Sequence, residues 1–201
     1  MALGIDSALD CTNRASAIAQ TGVDFVGRYY RKKISKWTPL SATEVAALHR
    51  EGLAVVALWE FASDKPDYFS YSSGVDDGTS AYRQALQAGQ PPQTPIYFAV
   101  DFDASSAAVA GPISDYFTGV RAGYTTIGQG QPAYSIGVYG SGRTCAWLAS
   151  HGRATYTWMA LSTKWADYDT YTSWNIKQGP GTTALAFDHD TDTSVASYGS
   201  F

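Results

Sequence analysis

The sequence predicts an α/β protein, an irregular TIM-type (β/α) barrel with five β/α units and three plain final strands, the last strand antiparallel. Three observations carry this. Apolar runs rich in aromatic and β-branched residues alternate with helix-patterned segments up to Ser150, the mark of a parallel sheet with crossover helices. Eight such runs occur within 201 residues, which suits one barrel domain over 1–201, at the short end of the roughly 200 to over 400 residues barrels use. Only nine residues separate Gln178 from Asp188, fewer than the dozen or so a parallel crossover needs, so the final strand turns back. An open doubly wound sheet is the alternative, but G-I-D-S-A-L-D at the first strand is not a glycine-rich phosphate loop.

Ala2 to Asp6 forms the first strand, and Thr12 or Asn13 caps a helix that runs to Gln20 before Gly22. Val23 to Tyr30 is the second strand, followed by the basic run Arg31-Lys32-Lys33 and a loop with Trp37 and Pro39. Ser41-Ala42-Thr43-Glu44 matches a capping box, and its helix stops at Gly52. Leu53 to Glu60 is the third strand. Residues 61–78 read as a long acidic and aromatic connection, of the kind that is often functional. A helix over 79–88 ends before Pro91-Pro92.

Ile96 to Asp103 is the fourth strand, apolar until it ends in two carboxylates. An interrupted helix spans 107–127, the fifth strand spans 134–140, and a helix spans 141–150. Strands follow at 155–161, 173–178 and 183–188, with Gly179-Pro180-Gly181 as a turn between the last two.

Net charge is −4, with no basic run beyond Arg31-Lys32-Lys33 and no arginine-rich helix, which argues against nucleic-acid and membrane-surface partners. No apolar stretch is long enough to span a membrane, and the N-terminus enters a strand with no visible signal peptide. Cys11 and Cys145 lack metal-ligand spacing and read as two free thiols. The 14 Tyr and 6 Trp fit a carbohydrate-facing surface equally well as an aromatic core.

Parallel strands bring their C-terminal ends to one face, where barrels build sites. That face is expected to carry Asp6, Arg28, Tyr30, Glu60, Asp101, Asp103, Tyr139, Gln178 and Asp188, with Trp158 at the end of the sixth strand. Asp6 alone reads equally as a helix cap. Strand alternation puts Asp101 and Asp103 on one side, so like charges share a site and one carboxyl is held protonated. A protonated and an ionised carboxyl over a cleft are the equipment of glycoside hydrolysis. Asp103 is the expected acid, Glu60 its rival, and Asp101 or Asp6 the stabilising carboxylate. Arg28, Tyr30, Tyr139, Trp158 and Gln178 are the expected substrate-binding residues. Asp188-His189-Asp190-Thr191-Asp192 departs from a calcium loop, with Thr193 and Gly199 where its glycine and closing glutamate belong, so it reads as a polar tail with no metal.

G-I-D at the first strand, V-G-R-Y-Y at the second, G-x-P-P-x-T-P-I-Y-F-A-V-D-F-D at the fourth, G-V-Y-G-S at 137–141 and W-x-x-x-Q at 174–178 resemble the glycoside-hydrolase-like domain family of bacterial and phage proteins, related to the family 25 (Chalaropsis-type) lysozymes. The resemblance runs nearly the whole chain. It implies the same irregular barrel and a peptidoglycan-type polysaccharide as substrate. It implies that Asp6, Asp101 and Asp188 stand where those lysozymes place catalytic aspartates. Asp103 stands where they place the glutamate that donates the proton, and is shorter by one methylene. The leading expectation is a cell-wall glycan hydrolase, without cofactor and monomeric, that is secreted, periplasmic or released by lysis. The alternatives are a glycan-binding domain without turnover and a metal-dependent hydrolase using Asp-x-Asp.

Overall fold

A computed structural model describes residues 1–32, 37–129 and 134–201. Lys33 of the basic run lies outside the described residues. The strands are β1 (Ala2–Asp6), β2 (Phe25–Tyr30), β3 (Ala54–Trp59), β4 (Pro95–Ala99), β5 (Ser135–Gly140), β6 (Tyr156–Met159), β7 (Ile176–Thr182) and β8 (His189–Ser194). They close into a barrel in sequence order. Neighbours from β1 to β7 are parallel, and β8 is antiparallel to both β7 and β1. The helices are α1 (Ala15–Ala19), α2 (Ala42–Arg50), α3 (Tyr71–Ala88), α4 (Ser106–Ala108), α5 (Ser114–Ile127) and α6 (Gly142–Ser150). The irregular barrel and its antiparallel final strand are as the spacing argument requires.

Alternation sorts each strand between two cores. Phe25, Val56, Leu58, Tyr97, Ala99, Trp158 and Ile176 fill the barrel interior. Residues such as Val26, Val55, Ala57, Trp59, Ile96, Phe98 and Val138 pack outward against the helices. Interior space is tight: a Cβ at Gly27 would lie 2.7 Å from the Trp158 ring.

Three elements differ from expectation. The helix expected over 79–88 begins at Tyr71, with the Ser70 side chain accepting from the Ser73 N–H at its N-terminus. Gly74 and Gly78 within α3 are packing sites. A Cβ at Gly74 would lie 2.0 Å from the Tyr116 carbonyl oxygen, and one at Gly119 2.1 Å from that of Tyr71, so α3 and α5 touch backbone to backbone.

The second difference is at β4, which ends at Ala99. The Val100 N–H still donates to Tyr139, but the Asp101 N–H donates to Ser63 at 2.9 Å. The chain has therefore left the sheet before Asp103, and alternation no longer places its side chain.

The third is at the C-terminal hairpin. Gly179-Pro180-Gly181 lies within β7, where the register shifts in a bulge between Gln178 and Gly181. Residues 183–188 are the connection, and β8 starts at His189. The polar segment expected to be a tail is a barrel strand, because Asp190, Asp192 and Ser194 find polar partners inward.

At the far end of the barrel Ala2 pairs with Ser194, and Phe201 exchanges two backbone hydrogen bonds with Val55 at 2.6 and 2.9 Å. Among the described residues no helix is long and apolar enough to cross a membrane, and Cys11 and Cys145 are buried free thiols.

Candidate active site

The C-terminal mouth of the barrel holds an acidic groove made of three adjoining cavities. The central one, 190 Å³, is lined by Tyr29, Leu58, Glu60, Ala99, Asp101, Tyr139, Gln178 and Asp190. On one side it shares Tyr29 and Asp190 with a 780 Å³ cavity that reaches Asp6, Trp37, Thr182 and Asp188. On the other it shares Glu60 and Asp101 with a 470 Å³ cavity that reaches Arg31, Phe61 and Asp64. Asp101, just beyond β4, and Asp190 on β8 both line the central cavity, and the Asp190 charge acts on Asp101.

The floor is a hydrogen-bonded cluster. Asp6 and Asp190 are register partners on β1 and β8. The Gln178 side-chain amide donates to Asp6 Oδ2 and to Asp190 Oδ2, each at 3.0 Å. It also accepts from the Tyr139 hydroxyl at 2.9 Å. Tyr29 donates from its hydroxyl to Asp6 Oδ1. Below them Asp192 Oδ1 accepts from the Trp158 indole N–H at 3.0 Å, and the charges of Asp192 and Asp6 act on each other.

Burial raises these carboxyls. Asp6 is pushed up to about 6, first by burial and then by the Asp190 charge, against hydrogen bonds from Tyr29 and Gln178 that favour its ionised form. Asp192 is held well above the usual aspartate range by burial and then by Asp6. Asp101 is raised by burial first and then by Glu60, Asp64 and Asp190. Burial also raises Asp190, with His189 opposing. Glu60 is ion-paired with Arg31 at 2.9 Å. The arrangement therefore offers a carboxyl able to hold a proton on one wall and carboxylates oriented by donors on the other. Among the described residues no group of three or more His, Cys, Asp or Glu side chains is arranged to hold a metal ion.

Of the residues expected at the site, Asp6, Glu60, Asp101, Tyr139 and Gln178 are brought together. Five others are placed differently. Arg28 and Tyr30 have the outward parity of β2. Arg28 is fully buried with Glu44, Nε to Oε1 at 2.5 Å and Nη2 to Oε2 at 3.1 Å, and donates to the Ser7 carbonyl at 2.8 Å. The Tyr30 hydroxyl donates to Gln90. Trp158 is fully buried beneath the cluster. Asp103 is exposed and accepts from the Ala166 N–H at 3.0 Å, tying down the loop after β6 instead of entering the groove. Asp188 is exposed on the outer wall of the larger cavity, and Asp190 takes the inward place on the last strand.

The sequence reading missed Tyr29, Asp190 and Asp192. Period-two parity from Gly27 would have found Tyr29. Asp190 and Asp192 were hidden because the last strand was placed one element early.

The family described as Rv2525c-like, glycoside hydrolase-like domain has a model that matches residues 16–197. The uncharacterized protein YbfG of Bacillus subtilis (strain 168) is 29% identical over 194 residues, 88% of this chain and 26% of that protein. The chain thus spans about a quarter of the length of that curated relative. The solved structure of the Mycobacterium tuberculosis Tat-secreted protein Rv2525c, in complex with L-tartrate, is similar with a TM-score of 0.80 and 21% identity, covering 99% of this chain and 98% of that one. The bacterial lysozyme from Streptomyces coelicolor is similar in fold with a TM-score of 0.59 and 13% identity, covering 98% and 93%.

Proposed function

The chain belongs to the Rv2525c-like, glycoside hydrolase-like domain family, and from that premise we propose that it hydrolyses glycosidic bonds in a peptidoglycan-type cell-wall glycan. The observation that carries the reading is the groove itself. It continues on both sides of the acidic centre, as a polymer needs, and Asp101 and Asp190 both line the central cavity that joins the other two. Tyr29, Trp37, Phe61 and Tyr139 line it as surfaces for sugar rings.

Asp101 is the proton donor to the leaving oxygen, since burial and its acidic neighbours favour its protonated form. Asp6 and Asp190, oriented by Gln178, stabilise the oxocarbenium-like centre or orient an N-acetyl group that attacks it. Glu60, held by Arg31, keeps a negative charge beside Asp101. The polymer is met outside the cytoplasm, in keeping with the secreted Mycobacterium tuberculosis relative, and the domain acts as a monomer without metal or cofactor.

A second reading is a glycan-binding domain without turnover. The position matching the lysozyme proton donor, Asp103, is engaged by Ala166 and lines none of the three cavities. Incubation with peptidoglycan and with chitooligosaccharides separates the two. New reducing ends that vanish in Asp101→Asn support hydrolysis. Binding without new ends supports the second reading, and neither binding nor cleavage refutes both.

A further inference from the structure

We propose, as a refinement resting on the glycosidase reading above, that Asp192 is a positioning residue: a neutral carboxyl inside the barrel that donates a hydrogen bond to Asp6 and thereby fixes the negative charge on Asp6. Asp192 is only 3% exposed and lines none of the three cavities. Its Oδ1 accepts from the Trp158 indole. Its Oδ2 is buried and receives no N–H or O–H donor from the described residues. A bare carboxylate oxygen in such a place is unfavourable. A proton on Oδ2, pointing to Asp6, removes the difficulty.

The donor count around the two groups places that proton. Asp6 already receives Tyr29 on Oδ1 and Gln178 on Oδ2, whereas Asp192 receives Trp158 alone. One proton between two carboxyls settles where the fewest donors compete for it, on Asp192. Asp6 then has a third donor, and its charge is held at the groove while the neutral partner stays below. The groups facing Asp192 agree with this. They are Asp6 on β1, Asp190 on β8, Tyr97 on β4, Tyr139 on β5 and Trp158 on β6; of these Asp6 acts most strongly on it, then the Trp158 hydrogen bond in the opposite sense, then Asp190. Burial first, and then the two aspartates, raise its proton affinity. The alternation of β8 makes the device possible. Gly4 is the register partner of Asp192 on β1, so no side chain there separates it from Asp6.

The test is carboxyl-carbon NMR of the whole chain labelled at aspartate, titrated between about pH 4 and 8 to span the ordinary and raised aspartate ranges. The Asp192 resonance is expected at the protonated position at neutral pH, while that of Asp6 moves with a midpoint near 6. An Asp192 ionised at neutral pH overturns the proposal. Two variants add a second readout. Asp192→Asn supplies a permanent N–H donor and is expected to keep the Asp6 midpoint and to hold kcat within about threefold. Asp192→Leu has no donor and is expected to move the Asp6 midpoint upward and to lower kcat with KM unchanged. An Asn variant that behaves like the Leu variant also overturns the proposal. If the wild-type protein cleaves no glycan, the glycosidase reading fails, yet the titration still decides where the proton sits.

Discussion

Replacing Asp6 with Asn should make the protein more stable in alkaline solution and, under the glycosidase proposal, abolish glycan hydrolysis. Asp6 is 2% exposed and its carboxyl is raised to about 6. The native state therefore holds a proton more tightly than the unfolded chain does. Stability from this group is complete at pH below the ordinary aspartate value and falls as pH rises through about 6. At ~1.4 kcal/mol per pKa unit, the fold carries a penalty on the order of 3 kcal/mol once Asp6 is ionised. Asn cannot ionise and avoids that term. It gives back about 1 kcal/mol through weaker hydrogen bonding with Tyr29 and Gln178. Urea unfolding of both proteins at about pH 4 and pH 8 reads the difference, provided the slope m is the same in each. The stability of Asn relative to wild type should improve by ~2 kcal/mol from the lower pH to the higher. Parallel pH profiles for the two proteins would refute the account of Asp6 as a strained, proton-retaining carboxyl.

Other substitutions test other parts of the structure. Asp101→Asn should lower glycan hydrolysis by roughly 10²- to 10⁴-fold, the range for a lost general acid. Asp103→Asn should leave hydrolysis nearly unchanged, because the Asn oxygen still accepts from Ala166; reducing-end assays compare them. Arg28→Ala leaves Glu44 buried and unpaired, and should destabilise the protein by ~3–5 kcal/mol, whereas Arg28→Met with Glu44→Leu should recover most of that in the same urea measurement. Gly119→Ala drives a methyl into the Tyr71 carbonyl. The expected cost is ~2 kcal/mol, a fall in melting temperature of roughly 4–8 °C by calorimetry.

The barrel was legible in the sequence because its outward and inward residues follow period two and its first six strands are apolar. The last strand was not, since His189 to Ser194 has no apolar signal; its stability comes from polar partners that only the closed ring supplies. The start of α3 was hidden for a related reason. Gly74 and Gly78 lower helix propensity, and what they give in return is contact with a helix forty residues away. At the site, the acids at the ends of β1 and β3 and just beyond β4 were readable one strand at a time. Which of them meet was not. Asp101 and Asp103 look like a pair by alternation, but the chain has left the sheet before either. Arg28 looks like a substrate contact and is the outward neighbour of the residue, Tyr29, that touches Asp6.

The reversal of β8 also governs how the domain can be tethered. In a ring whose strands were all parallel, the last strand would deliver the chain to the groove. Here Ser194 returns beside Ala2, and the final residues run to the base of β3, where Phe201 meets Val55. Entry and exit share the pole opposite the acids. A neighbouring domain joined at either end would hang from the base, leaving the groove unobstructed at the other pole.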